Sequence, residues 1–192
     1  MKAWHALVPI KAAADRKTRL ADRLSPGERI ALSERMLRHV LAILQATEAI
    51  GSITLLASDP VAGWYGARLS DDGRGLNAEV QAAAARIGDP LLVIHADLPA
   101  LAVADIRALT HAGRNGVALA ADRHRRGTNA IALGRRDDFV FAFGPDSLAR
   151  HRTQCSATAI IERPGLALDI DVFEDLTLFA GDRAARQAQI AF

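Results

Sequence analysis

A single cysteine, Cys155, stands in 192 residues. No disulfide can form within the chain, and a reducing, cytoplasmic setting is expected. The histidines His5, His39, His95, His111, His124 and His151 show no spacing typical of a zinc site. Aromatic residues are scarce at 5 %. The short basic run from Arg123 to Arg126 has none interleaved, so no nucleic-acid partner is expected. No stretch reaches the roughly 18 apolar residues of a membrane span, so no membrane partner is expected either. A signal-peptide pattern is missing, because Lys11, Asp15, Arg16 and Lys17 follow a very short apolar run. GxxxxGK(S/T), GxGxxG and GxSxG are absent as well, which leaves a P-loop, a dinucleotide fold and a hydrolase elbow unsupported. There is no internal repeat, low-complexity tract or linker, so one domain over residues 1–192 is expected.

Half of the residues are hydrophobic and the formal net charge is +2. This is the composition of a soluble α/β domain. The sequence organises itself around Leu91-Leu-Val-Ile-His-Ala-Asp-Leu-Pro99. Its branched apolar run suits a strand buried on both faces of a parallel sheet. It ends at Asp97, where α/β sheets bind ligands beyond the carboxyl ends of their strands. Asp97 therefore reads either as a metal ligand over a bound phosphate or as a cap for the helix that starts near Ala102.

Other strands are predicted over Trp4 to Ile10, Ile53 to Ala57, Val117 to Ala121 and Ala130 to Leu133. Further strand signals lie at Phe139 to Phe143 and at residues 166–172. Ser25-Pro26-Gly27-Glu28 predicts a capped helix running to about Ala49. Further helices are predicted from Leu76 to about Ile87, from Ala102 to Ala112 with Gly113 as a left-handed cap, and after Gly144-Pro145-Asp146-Ser147. The C-terminal end reads as two helical pieces, Phe173 to Phe179 and Asp182 to about Ile190. Residues 61–75 read as a Gly-rich polar loop. Alternating strands and helices predict a mostly parallel sheet with helices on both faces and a mixed or antiparallel edge.

Three groups of residues could carry chemistry. Asp97, Asp169 and Asp171 form a hard-oxygen set suited to Mg²⁺. Asp169 and Asp171, two apart on a strand, would face one side; the alternative is that they cap the next helix. The loop 11–23 carries Lys11, Arg16, Lys17, Arg19 and Arg23 and could hold phosphates or a departing pyrophosphate; the alternative is a solvated surface loop. Gly127-Thr128 and Gly144 to Ser147 offer hydroxyls and backbone N–H groups of the kind that bind anions; the alternative is ordinary turn chemistry.

Six segments, in order, resemble one family: VPIKAAADRKTRLADRLSPGERIALSERML (8–37), GLNAE (75–79), HADLPAL (95–101), RGTNAIAL (126–133), FGPDSLARH (143–151) and DIDVFEDL (169–176). The chain is similar to the guanylyltransferases of coenzyme F-420 biosynthesis. These act on 2-phospho-L-lactate, phosphoenolpyruvate or 3-phosphoglycerate. The resemblance implies a single-domain Rossmann-like nucleotidyltransferase fold. It implies that Asp97, Asp169 and Asp171 hold Mg²⁺, with Asp97 also in the catalytic set, and that Lys11, Lys17 and Arg19 meet the triphosphate. It places Glu79, Thr128, Gly144 and Ser147 around the phospho-acid or its metal, with His95 lining the acceptor pocket. His95 stands where the family pattern has a residue such as Gln or Pro, and DVFEDL stands for DTPEDL.

The function so implied joins GMP from GTP to a small phospho-acid with release of pyrophosphate. Its rivals are a nucleotidyltransferase of the same fold using another nucleotide or a sugar phosphate, and a GTP-binding regulatory protein without catalysis. A homodimer stays open as the assembly. The acceptor pocket is expected around Trp64, His95, His151 and the 144–147 turn.

Overall fold

The computed structural model describes residues 3–12, 17–88, 90–135 and 138–190, with side chains as far as residue 181. Arg16 of the basic loop and Asp89 lie outside the described residues. In chain order the elements are β1 (Trp4–Pro9), α1 (Pro26–Gln45), β2 (Ile50–Leu56), β3 (Ala67–Leu69), α2 (Leu76–Arg86), β4 (Leu91–Ile94) and α3 (Val103–Ala112). Then follow β5 (Val117–Ala121), β6 (Thr128–Leu133), α4 (Ser147–Arg152), β7 (Thr158–Ile161), α5 (Pro164–Ala167) and α6 (Phe173–Ile190).

The strands join one seven-stranded sheet in the order β3-β2-β1-β4-β6-β5-β7. All described pairings are parallel except those of β6, which runs antiparallel to β4 and to β5. The antiparallel member is thus inside the sheet, and the edge strand β7 is parallel to its neighbour.

Period-two alternation divides the core between the two faces. Ala6, Val8, Leu92, Ile94, Ala118, Ala120, Ala130 and Ala132 pack with Leu37, Val40, Leu41 and Leu44 of α1 and Ile106 and Leu109 of α3. Leu7, Leu91, Val93, Leu119, Ile131 and Leu133 pack on the other face with Val80, Ala83 and Ala84 of α2 and Leu148 of α4. Each fully buried Leu or Ile contributes about 1.5–3 kcal/mol, so the central strands are the most firmly held part. A third cluster joins Leu20, Leu32, Met36 and Ile170, with Leu24, Leu176 and Phe179 against it. It ties the loop after β1 to the segment before α6.

The α1 start is as expected. Ser25 is the N-cap, Pro26 opens the helix, and Glu28 closes a capping box. The helix stops at Gln45, short of Ala49. Gly113 is right-handed (φ −77°), so no left-handed cap forms there. The polar 61–75 stretch contains the short strand β3, and Thr158–Ile161, three β-branched residues in four but not among the predicted strands, forms the opposite edge. The C-terminal end is one helix rather than two.

Two strand expectations fail. Residues 139–143 form no strand with the described residues. Their N–H groups donate to side chains instead: Val140 to Gln154, Phe141 to Gln81, Ala142 to His151 and Phe143 to Asn77. Residues 166–172 also form no strand: α5 ends at Ala167 and an irregular segment follows. Asn129 on β6 donates to the carbonyls of Leu166 and Ala167 and so satisfies the backbone that a ladder would otherwise take up.

Candidate active site

β1 has β2 on one side and β4 on the other, and its connection leads to β2. The carboxyl ends of β1 and β4 therefore flank a switch point, where such sheets take ligands. Lys11 follows β1 there and is exposed. His95 and Asp97 follow β4. The antiparallel β6 begins at the same edge: the His95 N–H donates to the Asn129 carbonyl (3.0 Å), which continues the β4–β6 ladder.

Lys17 bridges the acids. Its Nζ lies 2.5 Å from Asp97 Oδ2 and 3.0 Å from Asp171 Oδ1, and its side chain is 8 % exposed. Its backbone is left-handed (φ 53°), a conformation that costs a non-glycine residue roughly 1–2 kcal/mol. Leu20, buried in the third cluster, fixes the turn by donating its N–H to the Lys17 carbonyl. Burial alone would lower the Lys17 pKa, but the charges of Asp97 and Asp171 reverse this and hold it above its ordinary value. Burial likewise pushes Asp97 up, and the Lys17 ammonium more than offsets it, so Asp97 is held below the usual carboxylate range. Arg19 reaches Asp171 at 3.6 Å and is itself largely exposed.

Asp169 joins them although the strand that was to carry it does not form. The Ile170 N–H donates to the Asp97 carbonyl (3.3 Å), stitching the 169–171 segment to the end of β4. Burial, then the charges of Asp97 and Asp171, push Asp169 up to about 6. Asp97 Oδ1 is buried without a hydrogen-bond partner. Among the described residues no three His, Cys, Asp or Glu side chains form a ready-made metal cage. Lys17 stands between Asp97 and Asp171.

The remaining predicted residues form a second, neutral corner. Thr128, at the start of β6, and Ser147, at the start of α4, are buried with their hydroxyls 3.3 Å apart. Gly144 makes the turn before α4 at φ +112°, which a side chain would strain. His151 does not line an open pocket: it is fully buried, with its Nδ1 3.0 Å from Thr128 Oγ1. The His95 ring lies 5.1 Å from that of Phe143; burial holds its pKa down, and its Nε2 is buried without a partner. Glu79 is taken up elsewhere. It is 1 % exposed and accepts from the Arg74 guanidinium and from the N–H groups of Asp72 and Arg74. Those bonds hold its pKa at about 2 and pin the loop before α2.

Two positioning residues escape sequence reading. Asn129 donates to Asp169 Oδ1 (3.3 Å) as well as to the α5 carbonyls. Asp175 accepts from the N–H groups of Asp171 and Val172 and faces Arg123 at 2.5 Å. Only its place three residues after Val172, the spacing of a capping acid, is a sequence signal.

The profile described as guanylyl transferase CofC-like matches residues 4–182. A phosphoenolpyruvate guanylyltransferase of Sphaerobacter thermophilus is 40 % identical over 190 residues, covering 92 % of each chain. One of Nocardia farcinica is 34 % identical over 191 residues, covering 91 % of this chain and 84 % of that one. Among solved structures, a nucleotidyl transferase from Methanothermobacter thermautotroptrophicus superposes with a TM-score of 0.67 at 18 % identity. It covers 97 % of this chain and all of that one, and speaks for the fold alone. With a matching profile over nearly its whole length and relatives this similar, the chain belongs to the CofC-like guanylyltransferase family.

Proposed function

We propose that this enzyme transfers the guanylyl group of GTP to a small phospho-acid, with phosphoenolpyruvate as the first candidate, and that it depends on Mg²⁺. The carrying observation is the corner where Lys17 bridges Asp97 and Asp171 beside Asp169, at the carboxyl ends of β1 and β4. The choice of acceptor draws on the relatives, which are named for phosphoenolpyruvate.

The donor set fits a hard divalent cation. Three carboxylates crowd one corner, one buried oxygen of Asp97 lacks a partner, and Asp169 resists ionisation without a nearby positive charge. Asp97, Asp169 and Asp171 would hold Mg²⁺, which would neutralise charge on the triphosphate and polarise its α-phosphate. The rest falls to the chain. A phosphate oxygen of the acceptor attacks the α-phosphorus of GTP, a new P–O bond forms, and the bond to the β-phosphate bridge breaks, releasing pyrophosphate. No protein nucleophile is required, because the attacking oxygen is already anionic. Lys11 and Arg19, both exposed at the rim, take the charge of the leaving pyrophosphate, and Lys17 balances the acids until substrates arrive. Thr128, Gly144 and Ser147 receive the phospho-acid.

The test is pyrophosphate release from GTP with phosphoenolpyruvate, 2-phospholactate or 3-phosphoglycerate in turn, each also tried with CTP, ATP and UTP. The expected result is release with GTP and one phospho-acid, abolished by a chelator. No release with any pair would overturn the reading.

A further inference from the structure

The neutral corner fixes the direction of its own hydrogen bonds. The Ala142 N–H, which can only donate, points at His151 Nε2 at 2.8 Å. Nε2 must therefore be the unprotonated nitrogen, and the ring proton is on Nδ1. Nδ1–H then donates to Thr128 Oγ1 at 3.0 Å. The ring plane is set by Phe139 (5.6 Å, 26°) and Phe143 (5.2 Å, 74°), and a half-turn that keeps that plane would put ring carbons against the Ala142 N–H and Thr128 Oγ1 and lose both bonds. Burial, then the charges of Arg150 and His95, push the His151 pKa down to about 4, so the ring stays neutral near pH 7.

Counting hydrogens gives the consequence. His151 Nδ1–H and the two hydroxyls bring three hydrogens. Inside the cluster there are two hydrogen bonds: His151 to Thr128, and Ser147 with Thr128. Whichever way the hydroxyl pair is oriented, one hydroxyl hydrogen is left over, and among the described residues neither hydroxyl has a further acceptor. With His151 donating from behind, Thr128 cannot turn its hydrogen toward the ring.

We propose that His151 is a positioning residue: it makes the Thr128–Ser147 pair an obligate hydrogen-bond donor, aimed at an anionic oxygen of the phospho-acid. This rests on the reading that Thr128 and Ser147 receive that substrate. His151 touches no substrate and acts through Thr128. A group that only accepts, such as a carboxylate or phosphate oxygen, takes up the hydrogen left over in the corner, whereas a group that only donates, such as an ammonium, leaves it without an acceptor.

The test uses the full chain. His151→Gln keeps an acceptor near the Nε2 position and loses the donor to Thr128. His151→Asn places an amide N–H near Nδ1. With phosphoenolpyruvate, His151→Gln is expected to raise the acceptor KM about tenfold, the scale of one lost hydrogen bond. The KM for GTP should stay within about twofold on the same scale, and His151→Asn should recover most of the loss. Thr128→Val should raise the same KM and leave nothing for His151→Gln to add. Equal effects of the two His151 variants, multiplying effects in the double variant, or a parallel rise in the KM for GTP would overturn the proposal. A ¹⁵N spectrum of the wild-type histidines needs no variant to fold: the Nδ1–H tautomer at His151 is expected, and the Nε2–H tautomer refutes it. If wild type turns over no phospho-acid, the reading of the site falls with the proposal. If wild type turns over but the His151 variants are silent, only the proposal falls.

Discussion

Two kinds of carboxylate share this molecule. Glu79, Asp105 and Asp175 are each held by an arginine and by backbone N–H groups. Arg74 is 2.8 Å from Glu79, Arg163 is 2.5 Å from Asp105, and Arg123 is 2.5 Å from Asp175. Each pins a loop or a helix start: the turn before α2, the first turn of α3 and the first turn of α6. Asp97, Asp169 and Asp171 are held instead by Lys17 and the Asn129 amide, with the exposed Arg19 3.6 Å from Asp171, and Asp97 keeps a buried oxygen unpaired. The Arg74 guanidinium forks onto both oxygens of Glu79, and Asp105 and Asp175 each pair one oxygen with an arginine while the other accepts backbone N–H; an ammonium is a point charge on a flexible stem. The arginine-held acids are committed to the fold. The lysine-held acids are balanced by a single ammonium, as the proposed cation site requires.

The strongest break of this comparison is Asp97→Asn. It leaves the strand intact and is expected to lower kcat/KM by about 10²–10³-fold, the range for one preorganised electrostatic contact. A variant that kept full activity would move Asp97 into the structural class. Asp175→Ala is expected to do the reverse. It removes a buried cap and the partner of Arg123, at a cost of about 2 kcal/mol in denaturant unfolding. Activity should fall only as the Asp171 segment loosens.

The pH dependences should have opposite signs. Glu79 is held near 2, so its stabilisation is present above the ordinary pKa of about 4.5 and is lost as pH falls toward 2. Wild type and Glu79→Gln should therefore converge in acid. Asp169 is raised to about 6, so in chelator wild type loses stability as pH rises from about 4 to 6. Asp169→Asn should not show that loss, and added Mg²⁺ should reverse it in wild type. Unfolding curves at several pH values check both, and parallel curves for the two variants would erase the distinction.

What the sequence revealed follows the range of its signals. The buried run at 91–94, the Ser25 capping box and Asp97 at a strand end are local patterns, and the structure repeats them. Asp171 meets Lys17 and Asp169 meets Asn129, but for a reason other than strand alternation: Asn129, Asp175 and the third cluster bend an irregular segment onto β4. Nothing local announces an asparagine that bonds to a chain segment about 40 residues away. The 139–143 run reads as a strand because its side chains are apolar. Its partners turned out to be Gln81, Asn77, His151 and Gln154, which no alternation pattern can reveal.

Mn²⁺ binding, followed by paramagnetic resonance in the presence of GTP, tests the central distinction most directly when wild type, Asp97→Asn and Glu79→Gln are compared. The account predicts that wild type and Glu79→Gln bind alike and that Asp97→Asn binds at least about tenfold more weakly. Unchanged binding in Asp97→Asn, or a loss confined to Glu79→Gln, would contradict it.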